Sequence, residues 1–331
     1  MRYVSYEKRR DVGTSIFNFF FEQNIPNAQI SCSIPQSSHQ TDNTDNIIHT
    51  THSIHVQVSL DLFRKTSNPM VSFFALTEAC KGVERDWQNG KISDKMKETV
   101  KSMVMEIFSK LHGTESARKR HVRGKIANLI SILATREWPQ RWPNLHLNMI
   151  NIGIQFPSCA MCTLMTFRTL SEDTHETCYF SKLPSKRKSE ILRGLKTIQL
   201  DVLKFANQLL SHALSNGTAA RRPSDEMLRE ALRCVASFAS WVEVKCLVSN
   251  SHNILNTLCA MICHESLEIE TRELAASCLN VVTSKKEKSD EDDVAKRTIL
   301  LNIAGQVLKS VGTWCSSAKC ENFYHVTHFN A

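Results

Sequence analysis

The sequence predicts an all-α fold, a solenoid of stacked helix pairs. Three observations predict it. From Met70 onward, apolar residues recur at steps of three and four over long segments, and few runs alternate with period two. Glycine and proline are scarce, at 10 and 8 in 331 residues, and fall mostly between the periodic segments. Helix pairs follow one another every ~40–50 residues, the spacing of HEAT-type repeats. Each pair carries an apolar face too large to leave wet, so neighbours must stack into an armadillo-like α-α superhelix.

Residues 1–69 are expected to form a poorly ordered N-terminal segment. Thr14–Glu22 could make one short helix. Residues 23–59 are rich in Asn, Gln, Ser, Thr and His and lack a period, which predicts mobility. The helical-repeat domain is expected over residues 70–315, with a patternless tail at 316–331.

Within that domain, Phe73, Leu76, Cys80, Val83 and Trp87 form the first stripe, broken at Asn89-Gly90. Ser93 is placed to cap the next helix, whose stripe is Met96, Val100, Met103, Ile107 and Leu111 and whose stop is His112-Gly113. A third helix, from about Ser116, carries Val122, Ile126, Leu129, Ile130 and Leu133. Two segments follow, divided at Gly153 and Pro157. The longest helix is expected over 185–215, with Ile191, Leu195, Ile198, Val202, Phe205 and Leu209 as its stripe. Ser224 should cap a helix carrying Leu228, Leu232, Val235, Phe238 and Val242. Shorter helices are marked by Ile254, Leu258 and Ile262, and by Leu274, Cys278, Val281 and Val282. Ser289 and the acidic residues after it suit the start of a last helix with Leu300, Ile303, Val307 and Val311.

Composition narrows the function. No run of 18 apolar residues exists, so no membrane insertion is expected, and the charged N-terminus reads as no secretory signal. Of the 12 cysteines, Cys80, Cys234, Cys259 and Cys278 fall inside helical stripes, where a thiol acts as a small apolar group; a reducing compartment follows. Cys159 and Cys162 form a C-x-x-C, but no strand precedes it and one such pair supplies half a structural zinc site. Phosphate-loop, dinucleotide, nucleophile-elbow and zincin motifs are missing. The sequence therefore predicts no catalytic residue, metal or cofactor.

Arg136-Glu137-Trp138-Pro139-Gln140-Arg141-Trp142-Pro143 is the most distinctive stretch. The residue before a proline is pushed out of the α region, so Trp138 should end its helix. Pro143 lacks an N–H and suits the first turn of the next one. Trp138, Pro139, Trp142 and Pro143 then make a stiff structural corner, each indole offering a broad apolar face.

The net charge is +8, which favours an acidic partner. Arg118, Lys119 and Arg120 open one helix; Lys182, Lys186, Arg187 and Lys188 precede or open another. Cations at a helix N-terminus oppose its dipole, and a polyanion contact would compensate. No aromatic residues are interleaved with these clusters, so base stacking is not expected.

The octapeptide resembles the Trp–Pro corner of the exportins, the export branch of the importin-β (karyopherin-β) superfamily. Leu183-Pro184-Ser185-Lys186-Arg187-Lys188 is similar to a basic loop of the exportin-5 subfamily, and Ala275-Ala276-Ser277-Cys278-Leu279 to one of its later helices. Ser237-Phe238-Ala239-Ser240-Trp241-Val242 fits the helix end between them. The resemblance runs from about Val71 to about Thr313 and fits an N-terminal part of such a protein. It implies a non-enzymatic nuclear export receptor that shuttles between nucleus and cytoplasm through the pore. Its implied partners are Ran-GTP, nuclear pore proteins, and double-stranded RNA cargo such as microRNA precursors or transfer RNA, with proteins as further cargo. Without it, the residues leave two alternatives: a general HEAT-repeat scaffold, or an importin with opposite Ran logic.

Overall fold

The computed structural model describes residues 55–87, 92–113, 119–174, 183–215, 223–248 and 254–285, together with the single helical residues 294, 297, 301 and 305. Every element among them is helical. In chain order these are α1 (55–65), α2 (Pro69–Asp86), α3 (Asp94–Ser109), a 3-10 turn (Leu111–Gly113), α4 (Arg120–Glu137) and α5 (Leu145–Gln155). Then come α6 (Pro157–Thr174), α7 (Ser185–Leu214), α8 (Asp225–Ala239), α9 (Val244–Val248), α10 (Ile254–Cys263) and α11 (Ile269–Thr283).

The helices form two rows. In one, α2, α4, α6, α8 and α11 pack each against the next. These run parallel: Ser131 of α4 reaches the Thr166 carbonyl of α6 at 3.3 Å, and Ser171 of α6 reaches the Ser237 carbonyl of α8 at 3.2 Å. The second row has α5, α7 and α10 in sequence, with α3 packed on α4 and α6. The pairs α3/α4, α5/α6, α7/α8 and α10/α11 are the stacked units of a HEAT-type solenoid.

Local chemistry sets the boundaries. The Ser93 hydroxyl accepts from the Met96 N–H and the Ser224 hydroxyl from the Met227 N–H, both at 3.3 Å, so both expected caps are present. Asn68 caps α2 by accepting from the Met70 N–H at 2.9 Å. α6 is surrounded by α4, α5, α7 and α8, and all residues from Cys159 to Phe167 are buried. Its hydroxyls return to its own turns: Thr163, Thr166 and Thr174 donate to the carbonyls of Cys159, Cys162 and Leu170.

The structure departs from expectation in four places. A helix occupies 55–65 inside the segment expected to be poorly ordered, because Val56, Leu60 and Phe63 recur at helical steps and are buried. The rest of that segment, and the tail at 316–331, lie outside the described residues. The short α9 was not expected. Pro143 precedes α5 rather than opening it, since Asn144 takes the N-cap position. Val242, assigned to the stripe of α8, is buried but lies past the helix end at Ala239.

Candidate functional site

The Trp–Pro corner is built where α4 ends. Trp138 leaves the helix at φ −84°, ψ 145°, the extended region forced on a residue before proline. The Trp138–Pro139 peptide is cis. Its indole is 2% exposed and lies on α7, where a Cβ on Gly194 would sit 2.6 Å from Trp138 Cη2. Only a residue without a side chain admits the ring this close. Pro139 lies on the same glycine, while Trp142 is half-buried against the core and Pro143 is exposed.

A buried polar cluster holds this corner to α2 and α3. The Trp87 indole N–H donates to Glu137 Oε1 at 2.7 Å. Lys101 Nζ lies 3.6 Å from Glu137 Oε2 and 2.6 Å from Glu98, and it donates to the Arg141 carbonyl at 2.9 Å. The Glu137 and Lys101 side chains are 3% and 4% exposed, so this is a paired charge with hydrogen bonds on both partners.

Arg187 is tied into the corner. Its guanidinium crosses from the first turn of α7 to the end of α4, donating to the Thr135 carbonyl at 2.7 Å and to the Trp138 carbonyl. It also bonds Gln140 Oε1 at 3.0 Å and pairs with Glu190 at 2.9 Å. A cation that opposes the dipole of its own helix thereby complements the carbonyl end of another. The sequence places Arg187 among the RNA or acidic-partner candidates; in the structure its guanidinium donors are engaged inside the protein.

The remaining basic residues separate. Lys119 and Arg120 are exposed at the start of α4; Arg120 lies 3.7 Å from Glu226 and its neighbour Arg123 lies 2.9 Å from the same carboxylate. Lys186 is exposed at the start of α7 and Lys188 is half-buried. Burial raises the Asp173 carboxyl above its ordinary value, with Glu172 adding to the rise and Lys188 opposing it. Arg118 and Lys182 lie outside the described residues. Because Arg187 docks at the end of α4 whereas Lys119 flanks its start, an 18-residue helix, ~27 Å of rise, divides the two clusters. They occupy opposite edges of the helix rows.

Sequence reasoning missed the carboxylates that organise these cations. Glu230 of α8 is buried and lies 2.6 Å from Arg168 and 3.3 Å from Arg233. Glu137 stood in the octapeptide, yet no local signal marks a carboxylate as buried.

Most of the described cysteines are buried. All eight described cysteines are free thiols. Burial pushes Cys159 up to about 11 and raises Cys162 further, with Cys159 adding to the latter. Cys159 Sγ donates to the Phe108 carbonyl at 3.2 Å and Cys278 Sγ to the Leu232 carbonyl at 3.1 Å, so these thiols tie helices together. Among the described residues, no three His, Cys, Asp or Glu side chains converge to hold a metal, and no helix is long and apolar enough to cross a membrane.

Comparison with known proteins matches this architecture. A family model described as Exportin 1-like protein matches residues 119–279, the stretch from the start of α4 to within α11. Exportin-5 of Mus musculus is 22% identical over 255 residues, covering 74% of this chain and 20% of its own length. Exportin-5 of Homo sapiens is 22% identical over 247 residues, with 71% and 20% covered. Protein HASTY 1 of Arabidopsis thaliana is 25% identical over 178 residues, with 51% and 14% covered. The chain thus spans about a fifth of the length of the exportin-5 relatives it matches. With a HEAT-type solenoid and an Exportin 1-like match across its central repeats, the chain is similar to the exportins, exportin-5 among them.

Proposed function

We propose that this chain is part of a nuclear export receptor that binds Ran-GTP and carries structured double-stranded RNA from nucleus to cytoplasm. The observation that carries the reading is the Exportin 1-like match over residues 119–279, laid on α4 and the three stacked pairs that follow it. The basic balance supports a polyanionic cargo. Arg118, Lys119, Arg120, Lys182, Lys186 and Lys188 are the proposed phosphate contacts, supplying charge rather than base readout. A-form RNA hides its major groove from side chains, so binding is independent of duplex sequence. Ran-GTP and cargo strengthen each other's binding, which makes release follow the loss of Ran-GTP. Protein cargo and nuclear pore proteins complete the partners of a receptor that shuttles between the two compartments.

The test is a salt titration of a hairpin RNA with a short 3′ overhang, with Ran loaded with GTP or GDP. Tighter binding with Ran-GTP is expected. Neutralising Lys119, Lys186 and Lys188 together should flatten the salt slope by about 0.9 per lost phosphate contact, taking the B-DNA coefficient. Binding indifferent to Ran's nucleotide points to a general scaffold. Release by Ran-GTP points to an importin.

A further inference from the structure

Neighbours in the first row are joined by charge as well as by packing. Arg168 of α6 lies 2.6 Å from Glu230 of α8, and Arg229 of α8 lies 2.5 Å from Glu268, the N-cap residue of α11. The pair formed by Arg123 and Glu226 is of another kind. Arg123 of α4 reaches Glu226 of α8 at 2.9 Å, although α4 and α8 are not packing neighbours; each packs on α6, which stands between them. Two steps of a straight row would set the axes of α4 and α8 ~16–20 Å apart. An arginine and a glutamate meet across two steps most readily when the row curls and brings the two helix starts together over the start of α6.

Arg123 takes this path. Its side chain is 8% exposed, and it lies near enough to Cys162 of α6 to oppose the rise that burial imposes on that thiol. The other end is fixed by the start of α8. Glu226 stands in the first turn, just behind the Ser224 cap, with its side chain 34% exposed. The same carboxylate lies 3.7 Å from Arg120, so two guanidiniums of α4 converge on one carboxylate of α8.

We propose that Arg123 and Glu226 form a strap over α6 that sets the curvature of the first row. The curvature of a solenoid is a small rotation added at each repeat. Packed neighbours can absorb a change in that rotation by small sliding of one helix on the next. A link that skips a helix spans two steps at once, so it restrains their sum. Closed, the strap holds the starts of α4 and α8 together; opened, it frees the row to straighten. Glu226 also suits a purely local role, because an acidic residue in a first turn complements the helix dipole. Asp225 beside it shares that local role and makes no ion pair with another described residue, which separates the two readings. The strap is independent of the export reading, and its test uses the full chain alone.

Hydrogen–deuterium exchange and small-angle X-ray scattering are the two measurements. Glu226→Ala should raise amide exchange on the order of tenfold in the first two turns of α6 and at the start of α4, and it should enlarge the radius of gyration. Asp225→Ala removes the same charge from the same turn and should raise exchange at the start of α8 alone. The exchanged pair Arg123→Glu/Glu226→Arg keeps the link with its ends reversed, so it should recover the protection and the scattering of the wild type. Unchanged exchange at the start of α6 in Glu226→Ala overturns the proposal. So does the same pattern from Asp225→Ala, which would reduce Glu226 to a dipole complement. An exchanged pair no better protected than Glu226→Arg alone overturns it as well.

Discussion

The indole N–H of Trp87 donates to Glu137 Oε1 at 2.7 Å, joining the end of α2 to the end of α4 through a fully buried bond. The same carboxylate lies 3.6 Å from Lys101 of α3, so three helices meet at one charge. Removing the carboxylate leaves a buried indole donor without its acceptor and takes one of two carboxylates from a buried ammonium. Glu137→Ala should therefore lose ~3–5 kcal/mol in urea denaturation. Glu137→Gln keeps an acceptor for Trp87 and should lose less. Equal losses for the two would mean that charge and acceptor do not matter separately.

Arg187 ties α7 to the carbonyl end of α4. Arg187→Ala should lower stability by ~2 kcal/mol, since several charge-assisted bonds are lost at once. Arg187→Lys should recover little, because an ammonium lacks the planar fork that spans Thr135, Trp138 and Gln140. Lys186→Ala, one residue away and exposed, should stay within ~0.5 kcal/mol of wild type. A thermal melt of the three variants settles it; comparable shifts for positions 186 and 187 would contradict the capping role.

Gly194 and Gly124 make a matched pair. Alanine is the better helix former by ~1 kcal/mol in both. At Gly194 the added methyl would meet Trp138 at 2.6 Å, and the displaced ring should cost ~1–3 kcal/mol, a net loss. At Gly124 nothing lies within 4 Å, so Gly124→Ala should gain ~0.5–1 kcal/mol. Trp138→Ala should lose ~3–5 kcal/mol. The half-buried Trp142 should lose less. A stabilised Gly194→Ala protein would show that the corner is looser than described.

The buried thiols predict both reactivity and pH response. Burial pushes Cys80 and Cys278 up to about 12 and Cys159 up to about 11. The thiolate is the reactive form, so iodoacetamide should spare these three in the folded protein and label them after unfolding. In the unfolded chain thiols titrate near ~8.5. Above that value the unfolded state holds fewer protons than the native state, so stability should fall as pH rises and keep falling through the folded values. Urea midpoints measured from about pH 7 to about pH 10 should decline at the upper end, and less so in Cys278→Ala. Rapid native labelling of Cys278 would contradict its burial.

The sequence by itself determined the helices and most of their ends. Stripes such as Ile191, Leu195, Ile198 and Val202 act within one helix, and the caps at Ser93 and Ser224 act within one turn. Trp138 ended α4 for a reason held in one peptide bond. Stacked pairs followed, because repeated one-sided apolar faces have few other ways to leave water. Helix α1 left little trace because its three buried apolar residues, Val56, Leu60 and Phe63, lie in a polar context that masks a short stripe. Tertiary structure alone decided which groups meet across helices. Arg187 read locally as a cation at an unfavourable dipole; only the placement of α7 against α4 supplied the carbonyls that hold it. Gly194 read as a helix weakener until Trp138 was laid on it. The two basic clusters, 60-odd residues apart in sequence, fell on opposite edges because α4 and α7 begin at opposite ends of the rows. Such pairings depend on the register between helices, which is set by the packing of whole faces and leaves no mark within a single turn.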